Sequence, residues 1–212
     1  MIRKALTAIA ALTFLAPLSA QAKTKLNYGT ELELEVFNDD QSFVTVTPYV
    51  ELEFPSGIYT GVELYNVHGD DDNESEFDLY LGYRGEAGLL SYDIYYYRYY
   101  LNQTGYDSDD LTAEVSDPLF GQLVGTTSLT SDLSGGWSGE QEVAYALPAG
   151  LELSAIYGVG ELADDDDWEI GIAKSLNETT EVGFSFNNSE TREEFLSFTL
   201  AFDASIDGIF GR

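Results

Sequence analysis

Hydrophobic and polar residues alternate along most of this chain with a period of two, the spacing of β-strands with one apolar and one polar face. Tyr28, Thr30, Leu32, Leu34 and Val36 share one side of their segment, and Glu31, Glu33 and Glu35 share the other. The same division places Ile58, Val62 and Leu64 opposite Glu63, and Phe77, Leu79, Leu81 and Tyr83 opposite Glu76, Asp78 and Arg84. It recurs with Val143, Tyr145 and Leu147 against Glu140 and Glu142, and with Leu153, Ala155 and Tyr157 against Glu152. Trp168, Ile170 and Ile172 oppose Glu169; Val182, Phe184 and Phe186 oppose Glu181; Leu196, Phe198, Leu200 and Phe202 oppose Thr199 and Asp203. Twelve strands are predicted, over 26–37, 43–54, 58–67, 76–84, 90–101, 111–117, 122–132, 140–147, 151–159, 167–176, 180–187 and 195–203. No segment keeps a helical period. Pro48 interrupts the second strand and cannot donate to a ladder. The sixth and seventh are weakly patterned, and residues 117–121 read as a turn or as part of a longer loop, so ten strands remain an alternative.

The connections alternate in length. Pro55-Ser56-Gly57, Gly85-Glu86-Ala87-Gly88, Pro148-Ala149-Gly150 and Asn177-Glu178-Thr179 are short turn sequences. The other set is mostly longer and acidic: 38–42, 68–75, 102–110, 133–139, 160–166 and 188–194. With an even strand count, all short turns fall at one end and all long loops at the other, as in outer-membrane barrels. Strand lengths near the ~9–11 residues that cross a bilayer tilted, and aromatics at strand ends on the apolar side, point the same way. The expectation is therefore an all-β, antiparallel up-and-down transmembrane barrel. A soluble periplasmic β-sandwich also alternates and is the competing architecture.

The first 22 residues differ from the rest. Arg3 and Lys4 precede an apolar stretch from Ala5 to Leu18, and Ala20-Gln21-Ala22 has the small-x-small form of a cleavage site. Residues 1–22 read as a cleaved secretory signal peptide and 23–212 as one barrel domain, placed in the outer membrane of a Gram-negative cell. Outer-membrane lipid and the outer-membrane assembly machinery are then the expected partners.

Charge sharpens this picture. The chain carries 38 Asp and Glu against 9 Lys and Arg, a net charge of −29, and no cysteine. That field repels nucleic acid, attracts cations, and leaves no disulfide scaffold. Fourteen per cent aromatic residues argue against disorder. If the apolar face meets hydrocarbon, Glu31, Glu33, Glu35, Glu51, Glu53, Glu63, Asp78, Arg84, Asp93, Tyr95, Tyr97, Glu142, Glu152, Glu169 and Glu181 line the interior. Such carboxylates select cations in a pore; a hydrated interior with no through path is the alternative. Inward Tyr95, Tyr97 and Tyr99 line a solute path or fill space. Tyr28, Tyr83, Arg98, Tyr100, Tyr145 and Trp168 fall at the lipid interface, with Arg98 placed to meet a lipid phosphate.

Other chemistry is thin. Asp70, Asp72, Asp164 and Asp166 are weak oxygen ligands for Ca²⁺ without EF-hand spacing; such runs are usually just solvated. His68 is the only histidine, and with no cysteine nucleophile or histidine pair no enzyme activity and no cofactor are expected. Small cations or neutral polar solutes are the expected permeants, passing by diffusion. A non-conducting barrel with a structural or surface role is the alternative.

Gly57-Ile58-Tyr59-Thr60-Gly61-Val62, Phe77 to Glu86, Leu90-Ser91-Tyr92-Asp93-Ile94 with Tyr95 to Tyr100, Leu147 to Leu151 and Asp167 to Ile172 resemble successive segments of the TorF family (Gcw_chp), a proteobacterial porin-type group. The resemblance covers roughly residues 57–101 and 140–203. It implies a barrel with a transport role and no established substrate. Residues 26–50 lack the arginine-glycine-x-serine motif common in that family. Residues 204–212 continue past Phe202, where its last strand would finish; Phe202 or Phe210 is the aromatic left to serve as an assembly signal.

Overall fold

A computed structural model describes residues 23–38, 41–66, 74–160, 167–188 and 194–208. The strands are β1 (Lys25–Phe37), β2 (Ser42–Glu53), β3 (Ile58–Tyr65), β4 (Glu76–Ala87), β5 (Leu90–Leu101), β6 (Gly105–Phe120), β7 (Leu123–Ser131), β8 (Trp137–Leu147), β9 (Leu151–Gly160), β10 (Asp167–Asn177), β11 (Thr180–Asn188) and β12 (Phe195–Asp207). Each pairs antiparallel with its neighbours in sequence, and β1 pairs with β12 from Lys25↔Asp207 to Phe37↔Phe195. The sheet is a closed barrel of twelve strands. Closure leaves no unpaired edge and satisfies the ladder hydrogen bonds within the wall. It also rules out the two-sheet sandwich and the ten-strand count.

Alternation is kept around the ring. Leu32 stands opposite Val46 and Leu200, and Ile172 opposite Leu153 and Phe184, so neighbouring strands present apolar residues on one common face. That face is the outer one: Leu32, Val46, Leu81, Leu129, Ile170 and Leu200 are all exposed. The interior inverts the pattern of a water-soluble core. Among the described residues only two large hydrophobic side chains are buried, Tyr59 and Tyr80, alongside buried Thr45, Glu51, Asp78, Thr112, Ser185 and Ser197. An apolar band around a whole barrel far exceeds the few hundred Å² of contiguous apolar surface usual on a soluble monomer.

At one rim the turns are short. Gly57 (φ 87°) closes the β2–β3 turn, its N–H donating to the Phe54 carbonyl at 2.9 Å. Asn177 holds the β10–β11 turn by accepting from the Thr179 N–H at 2.8 Å. At the opposite rim the sequence reading overestimates two loops. The connection expected over 102–110 shrinks to 102–104, because β6 begins at Gly105, and that over 133–139 shrinks to 132–136. Tyr106 to Asp110 look like loop by composition, but Tyr100↔Tyr106 and Arg98↔Asp109 pairing continues the ladder. Pro118 sits inside β6 at a register shift rather than ending the strand. Pro48 is accommodated in β2, opposite Thr30.

Candidate functional site: the barrel interior

Side chains on the concave face of a curved sheet converge, so contacts that skip a strand belong to the inside. Tyr49 on β2 donates to Asp203 on β12 at 2.7 Å, across β1. Tyr59 on β3 donates to Asp93 on β5 at 2.7 Å, across β4. Arg84 on β4 donates to Glu51 on β2 at 2.9 Å, across β3. Tyr97 on β5 donates to Glu63 on β3 at 3.3 Å, across β4. These bonds fix which face is the lumen, and the register carries the assignment around the ring. Glu31, Glu33, Glu35, Glu51, Glu53, Glu63, Asp78, Arg84, Asp93, Tyr95, Tyr97, Glu142, Glu152, Glu169 and Glu181 share the inner face.

Glycines make the skipped contacts possible. A Cβ on Gly82 would overlap the Tyr59 ring, one on Gly61 the Tyr80 ring, and one on Gly29 the Tyr49 ring. Each tyrosine therefore lies flat across a bare stretch of the neighbouring strand. The rings continue as a row: Tyr59–Tyr80 meet edge-on at 6.0 Å, Tyr80–Tyr97 stack at 5.0 Å and Tyr97–Tyr99 at 5.8 Å. Such ring pairs contribute about 0.5–1.5 kcal/mol each beyond their burial.

At the short-turn rim two cations sit among three carboxylates. Arg84 reaches Glu51 at 2.9 Å, Glu53 at 3.8 Å and Asp93 at 3.6 Å, and its guanidinium stacks 3.8 Å above the Tyr59 ring. Lys25 stands 3.7 Å from Glu53, and Asn27 donates to Glu51 and Glu53 at 3.0 and 3.3 Å. Five strands, β1 to β5, are tied together here.

The arc from β7 to β12 is built differently. Thr126, Ser128, Ser154, Gly158, Ala173, Gly183, Ser185 and Thr199 occupy inward positions, with Glu140, Glu142 and Glu169 between them. Ser197 donates to Glu33 at 2.6 Å.

The outer wall carries Tyr28, Tyr83, Tyr100, Tyr145 and Trp168, with Tyr28 and Tyr145 exposed and Trp168 tilted against Phe186 at 5.4 Å. Arg98 is also outward, but its guanidinium is engaged within the wall. Its Nε and Nη2 donate to Asp109 at 2.7 and 3.1 Å, and the Tyr96 and Tyr106 hydroxyls donate to the same carboxylate. A lipid phosphate would have to compete with Asp109.

The inward set also holds Glu76 and Glu140, which the sequence pattern puts on the polar face without naming them as lining, and Asp110 and Glu114, which sequence reasoning missed. Glu76 and Glu140 follow by extending the parity of Asp78 and Glu142; Asp110 was hidden by the late start assigned to the sixth strand. Sequence reasoning also missed Phe37, Phe43 and Phe195, which gather at the long-loop rim with ring separations of 5.6 and 4.9 Å. Their register puts them on the face of Glu35, against the apolar-outward rule. Asp70, Asp72, Asp164, Asp166, His68 and residues 1–22 lie outside the described residues. Among the described residues no group of three His, Cys, Asp or Glu side chains is arranged to hold a metal ion.

No protein-family model and no curated protein sequence matches the chain. Solved structures do resemble it. The KdgM porin superimposes with a TM-score of 0.64 at 7% identity, over 82% of this chain and 98% of that one. A structure described as KdgM porin in complex with disordered oligogalacturonate superimposes with a TM-score of 0.61 at 6% identity, over 83% of this chain and 98% of that one. At such identities the likeness is one of fold: this chain has the closed-barrel architecture of a porin.

Proposed function

We propose that the protein is an outer-membrane channel of porin type with an acidic lumen, through which small cations or neutral polar solutes diffuse. The observation that carries this reading is the inversion of the wall: a closed barrel with leucine, valine and phenylalanine outside and carboxylates inside. Apolar groups gain from contact with hydrocarbon, and enclosed carboxylates need water or counter-ions. The resemblance to the TorF family, the signal-like residues 1–22 and the porin fold support the same placement, with residues 23–212 as the barrel. In that setting Tyr28, Tyr83, Tyr100, Tyr145 and Trp168 are the interfacial girdles and the inward carboxylates line the water path. The oligogalacturonate recorded with KdgM is a uronic-acid polymer and hence anionic; the carboxylates here disfavour such a solute, so cations and uncharged molecules fit better.

One observation favours the second reading, a non-conducting structural barrel: Tyr59 and Tyr80 are 3% and 6% exposed and fill part of the interior. A twelve-stranded barrel lies between the filled eight-stranded and the open sixteen-stranded types. Planar-bilayer recording of the refolded protein separates the two. Discrete conductance steps with a cation-selective reversal potential in a KCl gradient are expected. A correctly folded barrel that inserts and gives no steps leaves the structural reading.

A further inference from the structure

Lumen charge is unevenly balanced along the barrel axis. Lys25 and Arg84 both sit toward the short-turn rim, among Glu51, Glu53 and Asp93. Toward the long-loop rim, no Lys or Arg among the described residues lies on the inner face, while Glu63, Glu76, Asp78, Asp110, Glu140 and Glu169 do.

Asp78 is the extreme case. It is 5% exposed, and its Oδ1 has no hydrogen-bond partner. Glu76 stands two residues away on the same face of β4. The register puts it directly opposite Glu63 on β3 and Tyr99 on β5. Neither nearby phenol serves it, because Tyr99 donates to Asp110 at 3.1 Å and Tyr97 to Glu63 at 3.3 Å. Carboxylates grouped on one face repel one another, and a positive species among them relieves that repulsion. A buried acceptor with no donor adds its own cost, the hydration it has lost.

We propose that Asp78, with Glu76 and Glu63, forms a cation station that sets the charge selectivity of the pore. The proposal rests on the conducting reading above. The occupant is a small monovalent ion such as K⁺, held while passing. Conduction needs a site weak enough to leave, so the ion is held loosely. The Arg84 network plays a different part, its three carboxylates already sharing Arg84 and Lys25.

The test uses the full refolded barrel in planar bilayers under a KCl gradient. Three forms are compared: the parent, the double variant Asp78→Asn with Glu63→Gln, and Glu178→Gln, which removes one charge in the β10–β11 turn. Asn and Gln keep side-chain size, and heat-shifted gel mobility verifies folding; if the double variant does not fold, Glu63→Gln alone keeps the Tyr97 partner and takes its place. The K⁺ to Cl⁻ permeability ratio is expected to fall about fivefold or more, the equivalent of the ~1 kcal/mol between charges 4 Å apart in water. Glu178→Gln is expected to keep the parent ratio. A double variant that conducts with the parent ratio overturns the station, and points to a shared proton between Asp78 and Glu76 instead. A parent barrel without conductance steps overturns the pore reading itself, a distinct outcome.

Discussion

The two arcs of the inner wall are built on opposite plans. From β2 to β5 the lumen is lined by large rings laid across glycines, with hydroxyls and a guanidinium reaching over intervening strands to carboxylates. From β7 to β12 the inward positions are mostly serine, threonine, alanine, glycine and glutamate, with Ile156 and the rim residue Phe195 the largest apolar exceptions. The first arc therefore spends its inner surface on holding the wall in one shape, and the second leaves room. In one chain with a single alternating pattern, side-chain size on the inner face divides structural work from open space.

The largest expected difference comes from adding volume. Gly82→Val puts a branched Cβ into the Tyr59 ring and should destabilise the barrel by about 1–3 kcal/mol, the usual range for overpacking. Gly158→Ala on the opposite arc, where the nearest neighbouring atom would be 3.9 Å from the new Cβ, should change stability by less than about 0.5 kcal/mol. Urea unfolding in lipid vesicles measures both; equal costs would erase the distinction between the arcs.

Next in size is Arg84→Met. It leaves Glu51, Glu53 and Asp93 without their shared cation. Because Arg84 is 38% exposed, solvent screening should hold the loss to about 1–2 kcal/mol, below that of a fully buried pair. The same unfolding assay reads it, and a stability equal to the parent would show the clamp to be idle. Ser128→Trp, on the open arc, is then expected to lower single-channel conductance while leaving the unfolding midpoint nearly unchanged. A conductance equal to the parent's would place the water path elsewhere.

Smaller still is Arg98→Ala on the outer wall, which frees Asp109 but touches no lumen residue. It should slow insertion into lipid slightly without altering ion selectivity, measured by gel shift and reversal potential. The least effect is local and pH-dependent. Asp132, in the β7–β8 turn, accepts from the N–H groups of Ser134, Gly135 and Gly136 at 2.8–2.9 Å and from the Ser134 hydroxyl at 2.7 Å. These bonds hold its carboxyl below the ordinary carboxylate range. Its contribution to the turn is complete above the unfolded carboxylate pKa and is lost as pH falls through the lowered folded value. Amide exchange at Gly135 and Gly136 should accelerate only in that acid window.

Much of the fold was legible because period two is strict wherever one face meets an apolar phase. Glu31-Leu32-Glu33-Leu34-Glu35 has one reading as a strand, and a slip of one residue would send three carboxylates outward. The start of β6 was not legible. Tyr106 to Asp110 carry loop composition, and only the neighbour's Arg98 and Tyr100 make them a strand. The bonds of Tyr49, Tyr59 and Arg84 over intervening strands depend on register and curvature, which no local pattern encodes. The rim phenylalanines Phe37, Phe43 and Phe195 defeat the pattern outright, because a hydrophobic residue that packs on two others can face inward wherever they cluster.

Closure of β1 on β12 has a topological consequence. The Gly208 N–H donates to the Thr24 carbonyl at 2.8 Å, so the two outermost described segments already touch. In hydrogen-bonding terms the strands form a ring with no first member. A few glycines could splice 208 to 24 while a cut is made in any rim connection, and the permuted polypeptide would still find every neighbour it has now.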